Sequence, residues 1–125
     1  MTFARRVFTV AGIYGLIVLL PLYGLEEQIG RDAPPPITHP EYFYGFIGVA
    51  VAWQVAFLII GRDPAGYRPL MIPAMIEKAS FVAAVAVLYA LGRVEATSLV
   101  AGGADLLLGI LFAVAFIKTR PKPAA

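Results

Sequence analysis

The chain contains no cysteine and only one histidine. Without thiols it has no disulfide, no thiolate metal site and no thiol redox chemistry. It also lacks a pair of histidines for haem or metal, a glycine-rich phosphate loop, and a nucleophile beside a histidine base. We therefore expect no metal site and no cofactor. An enzyme is disfavoured by these absences, although they do not exclude one.

Charged residues are also scarce. They make up 14% of the chain while hydrophobic residues make up 60%, whereas soluble domains have roughly a quarter and roughly a half. This balance predicts a membrane protein whose main partners are lipids. The net charge is only +2, and the basic residues stand near the ends of apolar segments. We therefore do not expect nucleic acid as a partner.

Four apolar segments have the length of membrane-spanning helices: residues 7–25, 42–60, 70–91 and 99–117. Each is close to the ~20 residues that cross a hydrocarbon layer of ~30 Å. We predict an all-α integral membrane protein in which residues 1–125 form one four-helix transmembrane domain. In length and four-span layout the chain is similar to the DoxX-like and other small four-helix membrane families, and this similarity implies the fold alone.

The basic residues between these segments predict the orientation. One side of the membrane would carry Arg5, Arg6, Arg62, Arg68, Lys118, Arg120 and Lys122. The other side would carry Arg31 and Arg93 beside the acids Glu26, Glu27, Asp32, Glu41 and Glu95. Because basic loops stay in the cytoplasm, we expect both termini there. The expected location is a bacterial inner membrane.

Polar residues inside the spans give the best functional lead. A charge at the centre of a bilayer helix costs at least about 2.5 kcal/mol, so such groups normally face the bundle interior. At ~1.5 Å per residue, Tyr14, Gln54 and Glu77 lie about 10 Å inside the cytoplasmic boundary. By the same rise Lys78 is barely deeper, and Asp105 is at about 20 Å. These five residues are our candidates for ligand binding or proton handling.

Two arrangements of these candidates remain open. Neighbouring helical side chains point about 100° apart, so we expect Glu77 and Lys78 to face different partners. A lysine stem of about 6 Å lets Lys78 approach Asp105, while Glu77 faces Tyr14 and Gln54. In the alternative, Lys78 extends to the inner headgroups, and a protonated Glu77 bonds to Gln54 or Tyr14 as a structural clasp.

Three classes of function fit this pattern. Small residues spaced by four, such as Gly48, Ala52 and Ala56, allow close helix packing in lipid. They favour a non-enzymatic module that forms a homo-oligomer or serves as an accessory subunit of a larger membrane complex, its polar layer holding a lipid or a small apolar ligand. The second class is a proton- or ion-coupled carrier of small solutes that uses Glu77 and Asp105. The third is an intramembrane enzyme acting on a lipid-like substrate.

Overall fold

The computed structural model describes residues 2–122, and within that range all regular secondary structure is helical, without a β-strand. Its α-helices are α1 (Thr2–Leu19), α2 (Glu26–Asp32), α3 (Pro40–Arg62), α4 (Met71–Ala90) and α5 (Ser98–Lys118). Short 3-10 turns, Leu20–Gly24 and Arg68–Leu70, follow α1 and precede α4. All the helices except α2 are long and apolar enough to cross a membrane, which confirms the prediction of four apolar helices of spanning length.

Prolines explain where several helical segments begin and end. Pro40 is the first residue of α3, a position where the missing N–H would have no helical partner. Pro21 lies inside the 3-10 turn that follows α1, because proline cannot continue the α-helical hydrogen bonding past Leu19. The winding therefore changes from α-helical to 3-10 after Leu19, near the C-terminal end of the first long helical segment.

The helix α2 lies in the connection between α1 and α3, outside the four predicted segments. Glu26 and Glu27 occupy its first turn and Arg31 its last, which suits the dipole of a helix. Gln28 makes two side-chain hydrogen bonds on the surface of this helix. Its Nε2 donates to Asp32 at 2.9 Å, and its Oε1 accepts from Arg31 at 2.9 Å. Local polar pairs form this helix without an apolar stripe.

The long helices are arranged as two antiparallel hairpins, α1 with α3 and α4 with α5. In the first hairpin Gly12 and Gly15 of α1 lie directly against α3, so close that an added Cβ would meet Gln54 in both cases. Of the predicted small-residue stripe on α3, Gly48 and Ala52 are exposed, whereas Ala56 is half-buried. Close packing therefore depends on Gly12 and Gly15 of α1, and at the terminal end on Gly61 of α3, where an added Cβ would meet Thr9 of α1.

The two hairpins join at the end of the bundle that carries Thr2 and Lys118, which we call the terminal end. Three buried phenylalanines meet there. The ring centroids of Phe8 and Phe112 are 4.3 Å apart, and those of Phe57 and Phe112 are 4.9 Å apart. Around them are the buried residues Ala4, Ala11, Ile60, Met71, Ala74 and Ala115. This apolar core connects all four long helices.

Arginine side chains reinforce the terminal end. Arg68 Nη2 donates to the carbonyl of Phe116 at 2.7 Å, and its guanidinium lies 3.8 Å from the centroid of that residue's ring. Arg5 Nη1 donates to the carbonyl of Arg62 at 3.1 Å. The last carbonyls of a helix have no partner within it and attract positive charge. Arg68 therefore caps α5, and Arg5 caps α3.

Candidate functional site

A cavity of about 960 Å³ lies between the two hairpins. The phenylalanine core separates it from the terminal end. All four long helices line the cavity. Its floor contains Gln54, Lys78 and Asp105, and it reaches Glu41 and Tyr42 at the start of α3. At ~1.5 Å per residue, the stretch of α3 from Glu41 to Gln54 measures about 20 Å. The volume is at the upper end of the range for small-molecule sites.

The charged candidates meet at the floor of this cavity. Lys78 Nζ donates to Asp105 Oδ1 at 3.2 Å and lies 3.6 Å from Glu77 Oε2. The Lys78 side chain is 5% exposed, while those of Glu77 and Asp105 are 22% and 19% exposed. The predicted pair of Lys78 with Asp105 is thus formed. The alternative in which Lys78 reaches the headgroups is wrong, because its ammonium is held inside the bundle.

The expectation that Glu77 and Lys78 face different partners is wrong. Their Cα–Cβ bonds diverge, but both side chains are long, and rotation about their χ angles brings carboxylate and ammonium together. The structural clasp is not formed either: among residues 2–122, no hydrogen bond joins Glu77 to Gln54 or Tyr14. Glu77, Lys78 and Asp105 therefore form one cluster, instead of the predicted arrangement in which Glu77 and Lys78 face different partners.

Gln54 is the most buried polar residue beside this cluster, at 2% exposure. Its Nε2 donates to the carbonyl of Ala50 at 2.9 Å, and its Oε1 has no hydrogen-bond partner. That oxygen lies against Gly15 of α1. Glu77 Oε2 is also buried without a hydrogen bond. Since a buried acceptor without a partner costs about 1–3 kcal/mol, the floor is a poor structural clasp and has spare accepting capacity.

Aromatic side chains form much of the cavity wall: Tyr14, Tyr42, Phe46, Trp53 and Phe81. The predicted candidate Tyr14 lines the cavity and is 44% exposed. Phe46 of α3 and Phe81 of α4 stack with centroids 6.4 Å apart and bridge the two hairpins. Trp53 lies 6.3 Å from the ring of Phe57 and also lines the cavity. The sequence reasoning missed Phe46 and Phe81, because apolar residues in a span carry no sign of which ones face inward.

The charges that line the cavity are unequal in sign. Glu41, Glu77 and Asp105 are acidic, and Lys78 is the one basic residue among the lining side chains. Over the part of the chain that the structure describes, no group of three or more histidine, cysteine, aspartate or glutamate side chains is placed to hold a metal ion. The charged groups that line the cavity are therefore mostly hydrogen-bond acceptors.

Comparison of the chain with protein-family models, with curated proteins and with solved structures found no match in any of the three.

Proposed function

We propose that this protein is a non-enzymatic integral membrane protein that holds a lipid-like molecule between its two hairpins. The observation that carries the proposal is the cavity of about 960 Å³, with apolar and aromatic walls and a charged floor. Such an outline suits a molecule with an apolar body and one polar group. The apolar part would lie along the walls, and the polar group would meet Glu77, Lys78 and Asp105.

The outer surface supports placement in a bilayer. Large apolar side chains point outward along the spans, among them Val100 at 77% exposure, Ile17 at 68% and Ile76 at 62%. Continuous apolar surface of this kind is unusual on a soluble monomer. The excess of basic residues at the terminal end favours an orientation with both termini in the cytoplasm of a bacterial cell.

Association with further copies or with other subunits is part of the same proposal. Gly48 and Ala52 are exposed on α3. Small residues spaced by four on an outer face allow another helix to approach closely in lipid.

Native mass spectrometry in mild detergent tests whether the cavity is occupied. We expect a bound molecule of lipid-like mass on the parent protein. Ala84→Phe should reduce this species, because Ala84 lines the cavity. Ala83→Phe is the matched control, since its neighbouring position on α4 is not part of the lining. A bare parent protein, or equal occupancy in both variants, would contradict the proposal.

A proton-coupled carrier is the second candidate function. The observation in its favour is that Glu77, Lys78 and Asp105 share one site inside the candidate spans, where ionisable groups commonly serve transport. Proteoliposomes containing a pH-sensitive dye provide the test. Proton movement that Glu77→Gln and Asp105→Asn abolish would favour the carrier over the binding module.

A further inference from the structure

We infer that the cavity selects an amphiphile whose head group is a protonated amine. This inference rests on the proposed function and specifies its ligand class. Three observations support it: the charge of the floor, the hydrogen-bonding character of its exposed polar atoms, and the aromatic walls of the cavity.

The charge of the floor favours a cation. With all three groups ionised, two carboxylates, Glu77 and Asp105, share the single ammonium of Lys78, so the cluster carries one uncompensated negative charge. An unpaired charge away from water is costly, and a ligand of opposite charge reduces that cost.

Among the charged groups at the floor, the exposed polar atoms are acceptors. About a fifth of each carboxylate side chain is exposed, whereas Lys78 is almost completely covered. Lys78 already donates to Asp105, and the Nε2 of Gln54 already donates to Ala50. An ionised carboxylate only accepts hydrogen bonds, so a head group that contacts Glu77 or Asp105 must donate them. The hydroxyls of the lining residues can donate or accept and do not change this requirement at the floor. A primary alkylammonium donates three and supplies the missing charge, whereas a carboxylate or phosphate head group would meet repulsion.

The walls are compatible with a cation on its way to the floor. Tyr42, Phe46, Phe81 and Trp53 line the cavity, and aromatic faces attract ammonium groups within about 6 Å. The protein already contains such a contact, because Lys78 Nζ lies 5.2 Å from the centroid of the Phe57 ring. An alkyl chain attached to the ammonium would remain against the apolar lining.

The test uses Trp53, the only tryptophan of the chain. The full-length protein is placed in phosphatidylcholine nanodiscs, and a stearyl alcohol with a nitroxide near its hydroxyl quenches Trp53 from within the cavity. Dodecylamine, dodecanol and dodecanoic acid then compete with this probe at neutral pH, at matched concentrations in the bilayer. Recovery of fluorescence measures displacement, and Ala84→Phe supplies the background from quencher in the surrounding lipid.

Dodecylamine should displace the probe at about tenfold lower concentration than dodecanol, the ratio expected for one charge-assisted hydrogen bond. Dodecanoic acid should be the weakest competitor. Glu77→Gln should remove most of the advantage of the amine, and this variant should fold, since Lys78 keeps its hydrogen bond to Asp105. Glu95→Gln, the same change in charge at an exposed loop residue, should keep the tenfold ratio.

Two results would overturn the amine preference while leaving the proposed cavity function intact. One is equal displacement by amine and alcohol. The other is a tenfold ratio that persists in Glu77→Gln, which would assign the preference to the bilayer. If none of the three competitors displaces the probe, both the proposed function and this inference fail.

Discussion

At the scale of single residues, Lys78 determines the character of the cavity floor. Its ammonium is the one positive charge beside two carboxylates, and it is buried. A buried ion pair contributes little net stability when it replaces apolar packing, but loss of one partner leaves an uncompensated charge. Removal of Lys78 would therefore destabilise the protein mainly by leaving a buried carboxylate uncompensated, and less through the loss of the lysine's own contacts.

Lys78→Met should lower the free energy of unfolding by about 3 kcal/mol, the usual penalty for breaking a buried pair. Adding Asp105→Asn should recover part of that loss, because the unpaired carboxylate is then removed. Chemical unfolding in mixed micelles measures both values. Lys122→Met, at an exposed residue, is the control and should leave stability unchanged. A Lys78→Met variant as stable as the parent would show that the pair with Asp105 is not maintained.

The sequence allowed this pair to be predicted, because depth along each helix follows directly from residue number. The same reasoning failed for Glu77, since helical geometry places a Cβ but leaves the χ angles free. The carboxylate of Glu77 turns back to within 3.6 Å of Lys78 Nζ. The depth of each residue along its helix was thus predictable. The meeting of the Glu77 and Asp105 carboxylates at the Lys78 ammonium was not.

At the scale of helices, the close contact of α1 with α3 depends on glycine. Gly15 leaves room for the side chain of Gln54, and an added Cβ would overlap with the amide oxygen. Overpacking in a tight interface typically costs about 1–3 kcal/mol. The position of Gln54 at the cavity floor is therefore linked to the separation of these two helices.

Gly15→Ala should lower the unfolding temperature, with a loss of about 1–3 kcal/mol from overpacking. Combining it with Gln54→Ala should restore much of this loss, since the overlapping side chain is then gone. Gly103→Ala serves as the control because nothing lies within 4 Å of its added Cβ. Full stability of Gly15→Ala alone would contradict the described contact of α1 with α3.

The extent of the long helices could be read from hydropathy, because spanning length and apolar composition mark them directly. Other features could not. The seven residues of α2 lack an apolar stripe, so only their local polar pairs indicate a helix. The capping of α5 by Arg68 joins residues that are 48 positions apart, which no local pattern reveals.

At the scale of the whole molecule, the two hairpins meet at the terminal end and separate around the cavity. The phenylalanine core and the arginine caps are concentrated at the terminal end. The cavity depends on side-chain volumes and helix crossings contributed by all four long helices at once. The periodicity within one segment does not reveal how the helices cross. The sequence therefore predicted a polar layer but not the cavity beside it.

The proposed orientation can be tested with single cysteines, since the natural chain has none. We expect a membrane-impermeant thiol reagent to label Glu95→Cys on intact cells and to leave Ala65→Cys unlabelled. Ala65 lies between α3 and α4 at the basic terminal end, and Glu95 lies between α4 and α5. After the membrane is permeabilised, both should react. The reverse pattern on intact cells would place the termini outside.

The central claim is that a lipid-like molecule lies in the cavity with its polar group at the floor. Its most direct test compares Trp53 quenching by two stearyl alcohols in nanodiscs, one with a nitroxide near the hydroxyl and one with it near the methyl end. Because Trp53 lines the cavity and is next to Gln54 in the chain, at the depth of the floor, the label near the hydroxyl should quench more strongly, and Ala84→Phe should abolish the difference. Equal quenching by the two probes, or a difference unchanged in Ala84→Phe, would contradict the account.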